Sequence, residues 1–257
     1  MGGGSVLIGI LSNPEIKING TLYAYDINPV LIDFYKHVQN NHEELYSLIK
    51  VIIDEYNSVL SNKNINRKAT TLPEAMDSKE NYYYYSRNRF NNLPAGIMKS
   101  ALFLFLNKTC FRGIYRVGPN GFNVPYGNYN NPEILNKVHL EDVHYLIQGV
   151  VFECCSFENV LSKVFLENDF LYLDPPYLKV NKNSFVQYTK DGFNNSDFLF
   201  KMLIDNSVNF VLSNLDCEHI RNVFINYFIV SILCKRTIHS KNPTSKQKEL
   251  IIKNDFI

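Results

Sequence analysis

Apolar and polar positions follow two rhythms along the chain, and the change from one to the other organises it. Residues 6–11 form a short apolar stretch directly after Met1-Gly2-Gly3-Gly4-Ser5. Leu22-Tyr23-Ala24-Tyr25 predicts a short buried strand ending at Asp26. Pro29 then opens a helix in which Leu31, Ile32, Tyr35 and Val38 recur at helical spacing. From about residue 43 to 107 the period is helical, with Leu45, Leu48, Ile49, Ile52, Ile53 and Tyr56 on one face; the polar segment 62–79 predicts a loop within it. Residues 108–132 keep no period, because Gly113, Gly118, Gly121, Gly127, Pro119 and Pro125 interrupt it, and they predict an ordered functional loop or short hairpin. Downstream, short apolar runs at 150–153, 170–173, 209–212, 228–233 and 249–253 alternate with helical stretches, the pattern of an α/β sheet whose last two strands are antiparallel.

Composition narrows this picture in three ways. The 257 residues, 46% of them apolar, suffice for one large domain or one domain carrying an insertion. The 26 basic against 25 acidic residues leave a net charge of +1, so any nucleic-acid binding has to come from a local patch. The five cysteines form no CxxC pair and have no histidine at ligand spacing, which argues against a disulfide scaffold or a zinc site and for reduced intracellular thiols. Without an apolar run near the ~20 residues needed to cross a bilayer, or a signal-peptide plan, the expectation is a soluble intracellular protein with no membrane partner.

The strongest chemical signal is Asp174-Pro175-Pro176-Tyr177, directly after the apolar run 170–173. Open α/β sheets bind ligands at the carboxyl ends of their strands. A carboxylate beside a carbonyl can accept both N–H groups of an aromatic amine and so localise its lone pair for methylation. The prolines stiffen the turn and offer no competing N–H, and Tyr177 can stack on a base. The bland alternative is a rigid turn after a strand. Asp26, at the end of an earlier strand, is placed to bond ribose hydroxyls or to cap the following helix.

On these residues the chain resembles the Dam-type family of DNA adenine-N6 methyltransferases, and the likeness runs from Gly2 to about Asn254. It implies an α/β fold, a Rossmann-like, doubly wound, S-adenosylmethionine-dependent methyltransferase sheet with a mostly helical target-recognition insertion. Residues 1–53 and 136–257 would form the catalytic domain and 54–135 the insertion. By the same resemblance Gly2, Gly3, Gly4 and Ser5 form the cofactor loop, Tyr25-Asp26-Ile27-Asn28-Pro29 the second cofactor motif through Asp26 and Asn28, and Phe157 after Ser156 a packing surface for the cofactor adenine or a core residue. Tyr85, Arg87 and Asn91 match a structural helix near the recognition region. Residues 107–127 look like the recognition segment, ending in Phe-Asn-Val-Pro-Tyr-Gly. Arg116 is the implied base reader, Lys108 and Arg112 phosphate contacts or loop braces, and Asn123, Pro125 and Tyr126 further DNA-binding residues. Phe185, Tyr188 and Gly192-Phe193 match a loop closing over the flipped base. Arg236-Thr237-Ile238 and Glu249-Leu250-Ile251-Ile252 match the last strands, with Lys235 and Arg236 a phosphate clamp or a solvated edge.

The implied reaction is in-line methyl transfer to a flipped adenine of double-stranded DNA, in a short site such as GATC, with Asp174 also beside the cofactor and no metal. One departure stands out: the family has a cofactor-contacting segment and a strand ahead of the glycines. An upstream start, a second chain that completes this part, or weakened cofactor binding would each account for it. Two other readings stay open, a degenerate non-catalytic DNA-binding homologue and a methyltransferase acting on cytosine-N4 or RNA.

Overall fold

The computed structural model describes residues 1–59, 64–163, 165–177, 195–235 and 246–254. Contacts divide the chain into two compact units, Met1–Cys155 and Ser156–Ile257. Helices and strands alternate in the mixed α/β manner expected.

The first unit opens with helix α1 (Ser5–Ser12) and strand β1 (Leu22–Asp26). Helix α2 (Pro29–Asn40) starts where Pro29 supplies a preset φ and the Asn28 side chain accepts the Val30 N–H at 3.1 Å. The cap is therefore Asn28, and Asp26 is left for other work. Ile32, Tyr35 and Val38 form the buried stripe of α2, and Leu45, Ile49, Ile52 and Tyr56 that of α3 (His42–Ser58). The polar stretch expected to be a loop contains one helical turn, α4 (Leu72–Ala75), which a Thr71–Glu74 capping box initiates. Helices α5 (Lys79–Asn92) and α6 (Ile97–Thr109) bring Tyr82, Tyr83, Leu102 and Phe105 into the same core as Ile49, each of them fully buried. Truncating any one of these to alanine should cost about 2–5 kcal/mol.

After α6 come a single 3-10 turn (Phe111–Gly113) and a small hairpin, β2 (Val117–Gly118) with β3 (Gly121–Phe122). Helix α7 (Lys137–Leu146) then leads into β4 (Val150–Cys154), which pairs parallel to β1 with Leu22 opposite Val150 and Asp26 opposite Cys154. The core runs without a break from Ala24 through the helices to Phe152.

In the second unit, α8 (Phe157–Leu161), β5 (Phe170–Leu173), α9 (Ser196–Ile204), β6 (Asn209–Leu215) and α10 (Glu218–Val223) precede a closing pair. That pair, β7 (Phe228–Lys235) and β8 (Lys246–Lys253), is antiparallel as expected, and both strands are longer than their apolar runs suggest. Sheet order is β5-β6-β8-β7, with β5 parallel to β6. Phe210, Leu212, Leu250 and Ile252 pack with Leu199, Phe200, Leu203, Ile220 and Phe224, so alternation along the strands selects the face covered by α9 and α10. Phe185, Tyr188, Gly192, Phe193, Arg236, Thr237 and Ile238 lie outside the described residues, as does the Lys235 side chain. Among the described residues no helix is long and apolar enough to cross a membrane.

Candidate active site

Leu173 of β5 stands opposite Leu212 of β6, so the chain leaves β5 at Asp174 alongside Ser213. The Ser213 hydroxyl donates to Asp174 Oδ1 at 2.6 Å and lies 3.4 Å from the Leu173 carbonyl oxygen. Asp174 is exposed, Pro175, Pro176 and Tyr177 are partly buried, and Ser213 is buried. The Tyr177 hydroxyl donates to Glu249 Oε2 at 3.1 Å, from the β8 position that faces Leu215 of β6. Burial raises the Tyr177 phenol above its ordinary pKa. The Asp174 and Glu249 charges and the Glu249 hydrogen bond act the same way, and the Ser213 hydroxyl opposes them. Burial also raises Tyr172, the nearby charges of Asp174 and Glu249 adding to it against a Ser213 hydrogen bond. The Tyr177 phenol is thus a neutral donor to the Glu249 carboxylate.

In the first unit a glycine loop meets the end of β1. Gly2 and Gly4 take left-handed φ values of 57° and 75°, a region glycine enters freely. The Gly2 N–H donates to Asp26 Oδ2 at 2.9 Å, and the Asn28 N–H to Oδ1 at 2.9 Å. The Met1 main-chain nitrogen stands 3.5 Å from Oδ2. Beneath the loop, the buried Tyr35 hydroxyl donates to the Gly3 carbonyl at 2.9 Å. Its pKa is pushed up to about 12 by burial and by the Asp26 charge, which keeps it a donor. Gly2, Gly3 and Ser5 are exposed and Gly4 is buried.

The segment after α6 is closed at its base. Cys110 bridges Tyr126, the Phe111 N–H donates to the Pro125 carbonyl at 2.8 Å, and the Gly127 N–H to the Thr109 carbonyl at 2.9 Å. Helix α5 braces it from one side. Tyr83 and Arg87 both donate to the Val124 carbonyl, at 2.7 and 3.1 Å, and Asn91 makes two bonds with the Phe122 backbone, at 2.8 and 3.0 Å. The Tyr126 hydroxyl shares a 2.7 Å hydrogen bond with Tyr56. At the tip, Arg116 Nε donates to Asn123 Oδ1 at 2.7 Å. Arg112 has φ 60° and lies over the Phe111 ring at 4.9 Å, and Lys108 is exposed at the end of α6. Three cations thus gather on one short segment of a chain with almost no net charge.

The sequence pattern of the D12 class N6 adenine-specific DNA methyltransferases matches residues 1–238. The chain belongs to this family. Among relatives, a type II methyltransferase of Methanocaldococcus jannaschii is 34% identical over 99% of this chain and 86% of its own length. The retron Ec67 DNA adenine methylase of Escherichia coli is 30% identical over 88% and 73% respectively, and a Vibrio cholerae DNA adenine methylase 26% identical over 87% and 75%.

Within this D12-class methyltransferase the structure groups the expected residues by unit. Asp174 to Tyr177 come together with Ser213 and Glu249, and Gly2 to Gly4 with Asp26 and Asn28. Phe157 is the first residue of α8, which Ser156 caps; it packs on the second unit's core, 6.3 Å from the Phe198 ring. Asn123, Pro125 and Tyr126 spend polar groups on bracing the segment that carries Arg116. Ser213 and Tyr83 had no signal of their own in the sequence, and Tyr35 and Glu249 were read only as part of a helix stripe and of a closing strand, because each contact is made with a partner distant along the chain. Among the described residues no His, Cys, Asp and Glu cluster is arranged to hold a metal.

Proposed function

We propose that this methyltransferase moves the methyl group of S-adenosylmethionine to the exocyclic N6 of an adenine flipped out of double-stranded DNA. The observation that carries this reading is an exposed carboxylate, Asp174, at the end of β5, next to two residues that have no N–H to compete for it. Asp174 and the Pro175 carbonyl accept the two amine protons, the lone pair localises on nitrogen, and the proton released on methylation passes through the Asp174 carboxylate to water. Tyr177 offers a ring for stacking, held by Glu249.

The donor supplies an electrophilic methyl group when bound. Several features of the first unit fit its methionine and ribose parts. A side chain at Gly2 or Gly3 would meet nothing within 4 Å, so the loop backbone is open to close approach. The Asp26 carboxylate accepts two backbone N–H groups and, as an ionised carboxylate with about four acceptor sites, retains capacity for ribose hydroxyls. Residues 54–135 are read as the target-recognition part, with Lys108 and Arg112 on phosphates and Arg116 on a base edge. Two of the five Arg116 donors are used on Asn123, which leaves a fork for a guanine.

The test is incubation with methyl-labelled S-adenosylmethionine and duplex DNA carrying GATC and other short sites, followed by nucleoside analysis. N6-methyladenine from the wild type and none from Asp174→Ala is the expected result. Label in N4-methylcytosine or in RNA alone, or full activity of Asp174→Ala, would overturn it. Absence of calorimetric binding of the donor would favour the non-catalytic reading.

A further inference from the structure

We propose that Ser213 is a positioning residue for the methyl-transfer reaction: it holds the Asp174 carboxylate in one orientation and reserves its second oxygen for the target amine. This rests on the reading of Asp174 as the amine's acceptor. Asp174 stands just past the end of β5, exposed, where an aspartate would otherwise sample several χ1 wells and a broad χ2. Ser213 is the opposite kind of site. It is 4% exposed on β6, a strand paired on both sides by β5 and β8, and stands opposite Ile251. A serine hydroxyl has a single proton to give. The Tyr172 and Tyr177 phenols also stand within hydrogen-bonding reach of Ser213. At 2.6 Å, against 3.4 Å from the Leu173 carbonyl, the charged Asp174 Oδ1 is the strongest acceptor and takes that proton in a bond of the short, charge-assisted kind.

The consequence is an asymmetric carboxylate. Oδ1 is engaged by the sheet, and Oδ2 is the oxygen presented to an incoming N–H. Without the hydroxyl the carboxylate is still present and still charged, but its productive orientation becomes one of several. The loss should therefore fall on turnover, because the amine's lone pair is localised only when the acceptor is aimed at it. Donor and duplex binding, which draw on many residues besides Asp174, should change little.

Ser213→Ala, Ser213→Thr and Asp174→Ala are assayed together for kcat, for KM of donor and duplex, and for melting temperature. Ser213→Ala is expected to lower kcat by about 10- to 100-fold, with both KM values within about twofold and the melting temperature close to wild type. Ser213→Thr, which restores the hydroxyl, is expected to regain most of the rate. A kcat for Ser213→Ala within about twofold of wild type would overturn the proposal, as would a folded Ser213→Thr no faster than the alanine variant. Should the alanine variant fail to fold, Ser213→Cys replaces it: the thiol fills the space but donates weakly, and a wild-type kcat would again be fatal. Full activity in Asp174→Ala would instead sink the reading beneath the proposal, so the two failures are distinguishable.

Discussion

Substituting Gly4 by alanine combines two penalties that can be separated. At φ 75° an alanine pays the left-handed cost, about 1–2 kcal/mol. Its methyl group would lie 3.2 Å from Tyr35 Cζ and collide with the Tyr35 hydroxyl. Tyr35 is buried, its ring stacked on Phe152 of β4 at 5.3 Å, so it cannot swing clear without giving up its hydrogen bond to Gly3, worth about 0.5–1.5 kcal/mol. The sum is about 1.5–3.5 kcal/mol against the loop conformation. If the donor needs that conformation, its affinity falls about tenfold or more, at a factor of ten per 1.4 kcal/mol. Isothermal titration with S-adenosylmethionine measures this, and a thermal melt reads the structural part independently. Tyr35→Phe in the Gly4→Ala background removes the colliding oxygen together with the hydrogen bond that the collision already breaks, so the two changes should not add: the double variant should bind the donor no more weakly than Gly4→Ala alone. Donor affinity within threefold of wild type for Gly4→Ala would refute the reasoning. A double variant weaker than Gly4→Ala by the full cost of Tyr35→Phe alone would show that the collision is not the cause.

Other expectations follow from the same geometry. Tyr177→Phe loses the bond to Glu249 but keeps the ring, so its kcat should stay within about fivefold of wild type, while Tyr177→Ala loses far more; equal losses would argue against stacking. Asn91→Ala deletes two bonds to the Phe122 backbone and should lower duplex affinity and melting temperature with donor affinity intact, measured by fluorescence anisotropy and calorimetry. Arg116→Ala should reduce discrimination between the cognate duplex and one changed at a single base pair by about 1–3 kcal/mol, read from competition binding. Asp216 is held below its ordinary pKa of 3.8, first by the hydrogen bond from Arg221 and then by Ser231 and the charges of Arg221 and Lys248, against burial. A depressed carboxylate stabilises the fold above its unfolded pKa and loses that contribution as pH falls through the folded value. Asp216→Asn should therefore melt below wild type at neutral pH, and the two curves should converge in acid; a constant gap across pH would contradict this.

The helices of the first unit were legible because their signal is local: Leu45, Ile49, Ile52 and Tyr56 repeat at helical spacing and all are buried. The strand before Asp174 and the motif itself were legible for the same reason. The capping box Thr71-Leu72-Pro73-Glu74 was also on the page, inside a stretch read as loop because its polar residues outweighed one short turn. Ser213 and Glu249 were not legible. They reach Asp174 and Tyr177 from 39 and 72 residues away, through a sheet register that no local pattern encodes. Tyr83 was hidden differently, in a run of four tyrosines on α5 whose faces hydrophobicity cannot tell apart, though only Tyr82 and Tyr83 of the four are buried. Asp26 was the cap candidate for α2 in the sequence, and the hydrogen bond from the Val30 N–H gives that cap to Asn28 instead.

The segment proposed to read DNA is fastened below its tip. The Cys110–Tyr126 bridge, the Phe111–Pro125 bond and the grip of α5 on Val124 and Phe122 lie beneath the hairpin that spans Val117 to Phe122. Variation at the tip, from Arg116 to Asn120, therefore leaves the anchorage and the core beneath it alone. On the proposed reading, a lineage can change which bases it reads by altering a few tip residues while the methyl-transfer machinery is inherited unchanged, and a library randomised at the tip should yield mostly folded proteins.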